Sequence, residues 1–294
     1  MLVKHLRRTT NKFFSSLYSQ NENLNERQKK IMEKGLPKKK PIEGVQEIVL
    51  VVSGKGGVGK STTSVNLATA MAQTKNVEVG LLDADVFGPS IPLMMKLNDS
   101  PLLNNDNKMI PLKNYGVKCM SMGFLVTEKS AVIWRGLMVM SALDKLMRHV
   151  DWSPTYCLFV DTPPGTGDTL LTLIQNLPIS GVIMVTTPQK AAVQVTRRGA
   201  TMLEKLGIPI IGLVSNMSSV QCPQCNSSIP VFGNEAKSLA DELNIPLLAE
   251  IPVDSDISRG SDLGTPSIIS SPNSIQANIY KKLADDVLTF FKKR

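Results

Sequence analysis

Residues 47–53, Glu-Ile-Val-Leu-Val-Val-Ser, form a β-prone apolar run that feeds directly into Gly54-Lys55-Gly56-Gly57-Val58-Gly59-Lys60-Ser61. No other stretch restricts the fold as strongly. Gly54, Gly56, Gly57 and Gly59 lack Cβ atoms, so the backbone can curl and turn its N–H groups toward phosphate oxygens. A helix opening at Lys60 adds the partial positive charge of its N-terminus. Lys60 brings a full cation to the terminal phosphates, and the Ser61 hydroxyl offers an oxygen ligand to Mg²⁺. Val58 and Thr62 complete the set expected to contact the nucleotide, which is ATP. A plain glycine-rich turn has no use for the Lys-Ser pair.

A Gly-x4-Gly-Lys-Ser pattern between a strand and a helix is the context of a P-loop. The rest of the chain continues that alternation. Strands are predicted over Glu47–Ser53, Val77–Asp83, Val117–Met122, Tyr156–Asp161, Gly181–Thr187, Ile210–Asn216 and Leu247–Ile251. Helices are predicted over Lys60–Thr74, Arg135–Val150, Gln189–Leu206 and Ser274–Phe291. Apolar strands alternating with helices predict one α/β domain, a mostly parallel sheet covered on both faces. No internal repeat and no second domain are evident.

Two strands end in acids. Leu158-Phe159-Val160-Asp161 places a carboxylate where a P-loop protein orients its Mg²⁺ shell. Leu81-Leu82-Asp83-Ala84-Asp85 ends in two. Either segment alone would also serve as a helix cap. Lys55 adds a second cation five residues before Lys60. Two neighbouring cations cost energy unless a strongly negative ligand or a second nucleotide lies close by.

Cys222-Pro223-Gln224-Cys225 follows a strand in a polar loop. Two thiolates at this spacing suit a soft metal, but a four-cysteine zinc or iron–sulfur centre needs two such pairs. A two-fold dimer supplies the second pair. A bridging zinc, a bridging iron–sulfur cluster and a redox disulfide all fit the motif. Cys119 and Cys157 lie in apolar runs and read as reduced core residues.

The net charge of +8 has a definite location: residues 1–40 carry eleven Lys/Arg and three Asp/Glu, and residues 41–294 carry 22 of each. The neutral folded part argues against a nucleic-acid partner. Residues 1–20 hold Lys4, Arg7, Arg8 and Lys12, several hydroxyls and no acid. That is the composition of a mitochondrial transit peptide, with a basic tail as the plainer alternative. Residues 21–44 read as a polar basic linker, and 45–294 as the ATPase domain. No apolar stretch approaches the length that spans a membrane. Phe290-Phe291-Lys292-Lys293-Arg294 has the composition of a weak membrane foot.

The loop Gly54–Ser61 resembles the deviant Walker A motif of the nitrogenase-iron-protein and Min/Par class of ATPases. Asp161-Thr162-Pro163-Pro164-Gly165-Thr166-Gly167-Asp168 and Asp83-Ala84-Asp85-Val86-Phe87-Gly88-Pro89-Ser90 resemble switch II and switch I of its Mrp branch. The likeness runs from about Pro37 to the C-terminus. It implies that Lys55 reaches the nucleotide of a dimer partner and acts with Lys60 and Asp85 in hydrolysis, Asp85 positioning the attacking water. It further implies that Asn216 hydrogen-bonds adenine, and that Pro252 and Asp254 line the base pocket. In this branch the CPxC pair, here Cys222 and Cys225, bridges a [4Fe–4S] cluster between two subunits. Lys40–Val45, Tyr115–Phe124 and Trp134–Ala142 resemble the branch's mitochondrial member, a matrix carrier of iron–sulfur clusters to apoproteins of respiratory complex I. The competing readings are a Min/Par-type positioning ATPase, which has no use for the cysteine pair, and a zinc-bridged dimer switched by nucleotide.

Overall fold

The structure, a computed structural model, describes residues 39–125, 136–222, 224–225 and 227–294. The expected transit peptide, residues 21–38 of the linker, and Arg135 at the start of a predicted helix lie outside these residues.

The central strand β1, Val45–Ser53, has Val49, Leu50 and Val51 fully buried. It lies between β5 (Thr155–Asp161) and β6 (Gly181–Thr186), parallel to both. Outward from β5 come β2 (Val79–Asp83) and β4 (Val117–Ser121), also parallel, with the short β3 (Leu112–Asn114) antiparallel at that edge. Beyond β6 come β7 (Ile210–Gln221) and β9 (Leu247–Val253), parallel again, and β8 (Ser228–Pro230) folds back antiparallel on the far end of β7. A strand buried on both faces must be apolar along its length, which is why these strands are runs rather than alternations.

Helices cover the sheet: α1 (Lys60–Lys75), α2 (Ile91–Met94), α3 (Gly136–Arg148), α4 (Asp168–Asn176), α5 (Lys190–Lys205), α6 (Glu235–Glu242), α7 (Ser255–Leu263), α8 (Ser267–Ser270) and α9 (Ile275–Lys293). α1 packs against α9, and Met71 and Tyr280 are fully buried. Each large apolar side chain so buried contributes about 1.5–3 kcal/mol. α1 stops at Asn76, in the left-handed region at φ 51°, a conformation that asparagine tolerates. α9 starts from the Ser274 hydroxyl, which accepts a hydrogen bond from the Ala277 N–H at 3.1 Å.

Four departures from the sequence reading stand out. β7 was expected to end at Asn216 and instead runs on to Gln221, its exposure rising along Met217–Gln221. The fold begins before Val45: Ile42 is 2% exposed, and the Lys40 N–H donates to Asn176 O at 2.9 Å. The segment between Ile251 and Ser274, for which no element was predicted, carries α7 and α8. Finally, Phe290 and Phe291, read as a weak membrane foot, are half-buried against the core. Phe291 packs edge-on against Tyr156 and Phe290, each at a centroid distance of 6.2 Å, and Arg294 donates to Ser180 O at 3.1 Å. Among the described residues, no helix is long and apolar enough to cross a membrane.

Candidate functional site

The loop between β1 and α1 has Gly57 at φ 76° and Gly59 at φ 84°, both in the left-handed region. A Cβ on Gly59 would stand 2.0 Å from Asn216 Nδ2, so only glycine fits. At the other end, a Cβ on Gly54 would meet the Thr196 backbone N of α5 at 2.8 Å. The chain then enters α1, whose first N–H groups have no partner within the helix and open toward the loop.

Asp161, at the end of β5, organises this end of the sheet. Its carboxylate is fully buried and receives three donors. Lys60 Nζ lies 2.7 Å from Oδ1, Ser64 Oγ donates to Oδ1 at 2.7 Å, and Ser61 Oγ donates to Oδ2 at 2.6 Å. Lys60 is 7% exposed. The cation and the hydroxyl predicted to meet phosphate and Mg²⁺ are therefore together, held by the predicted carboxylate. Glycine curvature, unpartnered N–H groups and a buried cation fit a nucleotide's phosphates. Ser61 beside Asp161 fits its Mg²⁺. Switch II is tied to the same place: Gly165 N–H donates to Ser53 O at 2.8 Å and Thr162 Oγ1 to Val51 O at 2.9 Å.

Asp83 and Asp85 separate into different roles. Asp83 is buried and pairs in register with Asp161 across β2 and β5. It accepts from Ser121 Oγ at 3.1 Å, Asp85 N at 3.2 Å and Ile91 N at 3.3 Å, so it pins both ends of switch I. Burial, reinforced by the like charge of Asp161, pushes its carboxyl up to about 7. Asp85 is half-buried and its carboxyl is also raised, chiefly by desolvation. A raised carboxyl beside the phosphate loop suits proton exchange with water. Lys55 is exposed, and among the described residues it has no ion-pair partner.

The residues assigned to the base are placed less uniformly. Asn216 is buried, and its Nδ2 donates to Val58 O at 2.9 Å, which makes it a prop beneath the phosphate loop. Pro252 is buried near the end of β9. Asp254 caps α7 by accepting from Asp256 N at 2.7 Å, and its other oxygen accepts from Gln276 Nε2. Sequence reasoning missed Ser64, Ser121 and the Asn66–Ser267 link, in which Asn66 Oδ1 accepts from Ser267 N at 2.8 Å and Oγ at 2.7 Å. Ser64 stands one helical turn after Lys60, a spacing that would have revealed it.

The thiols lie on the hairpin between β7 and β8. Cys222 is half-buried and Cys225 exposed. Ser227 lowers the Cys225 thiol most, through its hydroxyl and then its backbone, and the Cys222 thiol lowers it further. Cys119 and Cys157 are buried, and desolvation raises both. Among the described residues, no three His, Cys, Asp or Glu side chains gather to hold a metal. Two thiols on one short hairpin, Cys225 exposed and Cys222 half-buried, suit two corners of a four-thiolate centre. Val220 pairs across β7 with Ile229 of β8 and with Val253 of β9. Partners directly opposite share a face, so these three side chains, 39%, 52% and 46% exposed, form an apolar row beside Cys222.

A family model described as ParA: NUBPL iron-transfer P-loop NTPase matches residues 44–288. The chain belongs to the NUBPL iron-transfer P-loop NTPase family. Among its NUBPL relatives, the mouse iron-sulfur cluster transfer protein NUBPL is 50% identical over 278 residues, covering 94% of this chain and 87% of the relative. An Arabidopsis thaliana iron-sulfur protein required for NADH dehydrogenase, mitochondrial, is 50% identical over 253 residues, covering 86% and 81%. Among solved structures, an Archaeoglobus fulgidus nucleotide-binding protein in complex with ADP aligns with TM-score 0.66 and 35% identity, over 76% of this chain and 88% of that one. MinD from Pyrococcus furiosus aligns with TM-score 0.61 over 83% and 98%, and at 23% identity it shares the fold. The NUBPL match and the P-loop geometry agree on the architecture expected from the sequence.

Proposed function

We propose that this chain is an ATP-dependent carrier that receives a [4Fe–4S] cluster on Cys222 and Cys225 of two copies. It passes the cluster to mitochondrial apoproteins, subunits of respiratory complex I among them, and works in the matrix. One observation carries the reading: β7 holds Asn216 beneath the phosphate loop and ends one residue before Cys222. Nucleotide and cargo therefore act on the two ends of one strand segment. The apolar row of Val220, Ile229 and Val253 supports a second copy docking on the face that bears Cys222. The names of the mouse and Arabidopsis relatives support the cargo and the organelle. A Min/Par positioning role would leave the exposed thiol pair without a use.

The chemistry follows from the residues. Lys60 Nζ, held on Asp161, turns to the terminal phosphate. Ser61 Oγ and the Asp161 carboxylate, 2.6 Å apart, are the residues that would hold Mg²⁺. Such an ion would supply charge neutralisation at the phosphate oxygens. Asp85 holds the attacking water and accepts its proton, and Asp83 keeps switch I in place while it does so. Exposed Lys55 extends across the interface to the partner's phosphates. Hydrolysis is slow, because the two chains must meet before the site is complete.

The test is anaerobic reconstitution with iron and sulfide, read by iron content and subunit mass together. About four irons per dimer are expected. Cys222→Ala and Cys225→Ala abolish them, whereas Cys119→Ala and Cys157→Ala retain them. Four irons on a monomer, or iron kept after loss of both hairpin cysteines, overturns the proposal.

A further inference from the structure

We propose that Ser227 is the positioning residue of the cargo site, holding Cys222 by its backbone and the Cys225 sulfur by its hydroxyl. This rests on the carrier reading above. The β7–β8 ladder pairs Ser219 with Pro230, Val220 with Ile229, and Gln221 with Ser228. One further rung follows, in which the Cys222 N–H donates to Ser227 O at 2.9 Å. Cys222 is thereby fixed at the end of the ladder, whereas Cys225 sits out on the turn. The contact that ties Cys225 back is the Ser227 hydroxyl, with Oγ 3.1 Å from Sγ.

Either atom can donate while the thiol carries its proton. A cysteine that ligates iron is a thiolate, so the sulfur is then only an acceptor and the hydroxyl must donate. That bond has two consequences. It orients Cys225 toward the same cluster as Cys222, as outer-shell partners do for other ligands. It also stabilises the electron-rich, reduced form of a bound cluster and so raises its potential. Removing the hydroxyl therefore loosens the cargo and lowers its potential, without touching the phosphate loop.

The experiment uses the full chain as wild type, Ser227→Ala, Ser227→Thr and Cys225→Ser. Co²⁺ is titrated anaerobically and followed by thiolate-to-cobalt absorbance. In parallel, the reconstituted cluster is measured for midpoint potential and for the rate of iron loss to a chelator. Ser227→Ala should weaken Co²⁺ binding about 10-fold, the lower end for an outer-shell partner. It should also speed iron loss and lower the midpoint potential. Ser227→Thr, which keeps the hydroxyl, should restore all three. Ser227→Ala matching wild type, or Ser227→Thr failing as badly as Ser227→Ala, overturns the role of the hydroxyl. If wild type holds a cluster that Cys225→Ser loses, such a failure leaves the carrier reading intact. If wild type takes up neither Co²⁺ nor cluster, the carrier reading fails and the role of Ser227 falls with it.

Discussion

Replacing Lys60 with methionine should cost stability as well as turnover, and the two losses should separate on a second substitution. Methionine keeps much of the side-chain length and removes the charge. It leaves Asp161, fully buried, without the cation 2.7 Å away. Breaking a buried ion pair from one side costs about 3–5 kcal/mol. The lower end applies here, because Ser61 and Ser64 still donate to Asp161 at 2.6 and 2.7 Å. About 3 kcal/mol corresponds to a fall in melting temperature of about 6–12 °C for a domain of this size. ATP turnover should fall by about 10²-fold or more, since a preorganised charge on the transferring phosphate is gone. In Lys60→Met/Asp161→Asn the amide still bonds to the serine hydroxyls and no lone charge remains. Most of the lost melting temperature should return while turnover stays low. Differential scanning calorimetry and a phosphate-release assay on wild type, Lys60→Met, Asp161→Asn and the double variant complete the cycle. A single variant as stable as wild type, or a double variant no better than the single, refutes the account of Asp161 as a buried charge held by Lys60.

Two further outcomes test the geometry. Asp83 is pushed from 3.8 to about 7 in the fold, so the folded chain keeps a proton that the unfolded chain releases between those values. Stability contributed by this group is lost as pH rises through that window, and Asp83→Asn should gain on wild type in melting temperature between about pH 4 and about pH 7. A pH-independent gap between the two counts against this. Gly59→Ala should destabilise by at least about 1 kcal/mol, because alanine is strained at positive φ, and calorimetric titration should find nucleotide binding lost. Normal ATP affinity in that variant would mean that the contact with Asn216 does not shape the loop.

How much was legible depended on whether local pattern or long-range placement decided the matter. β1, the loop and α1 were readable because strand, glycines and Lys-Ser are contiguous. The inner strands were readable because burial on both faces leaves a continuous apolar run. The extension of β7 to Gln221 was not, because Ser218, Ser219 and Gln221 are polar where the strand leaves the core and pairs only with β8 and β9. The two acids of Asp83-Ala84-Asp85 looked equivalent, and only the packing of Ser121 and Ile91 against the first makes it an anchor. Asn216 was assigned to the base by resemblance, and its position under Val58 depends on how β7 lies against β1 across β6. The packing of Phe291 on Tyr156 was not readable, because the two are far apart in sequence.

The placement of β1 also dictates when a site can exist. A ribosome or an import channel releases the N-terminal part of a chain first. β1 is made early, yet its register partners come late: Val45 lies beside Thr155, and Val49 beside Gly181. Its whole phosphate motif is therefore synthesised well before any neighbour can hold it, and Asp161, the group that gathers Lys60 and Ser61, arrives only with the first of them. A nascent chain that stops short of β5 carries every glycine of the loop and has nothing with which to grip a nucleotide. The hairpin thiols emerge later still, after both strands that flank β1, so Asp161 can hold the phosphate loop before Cys222 and Cys225 exist.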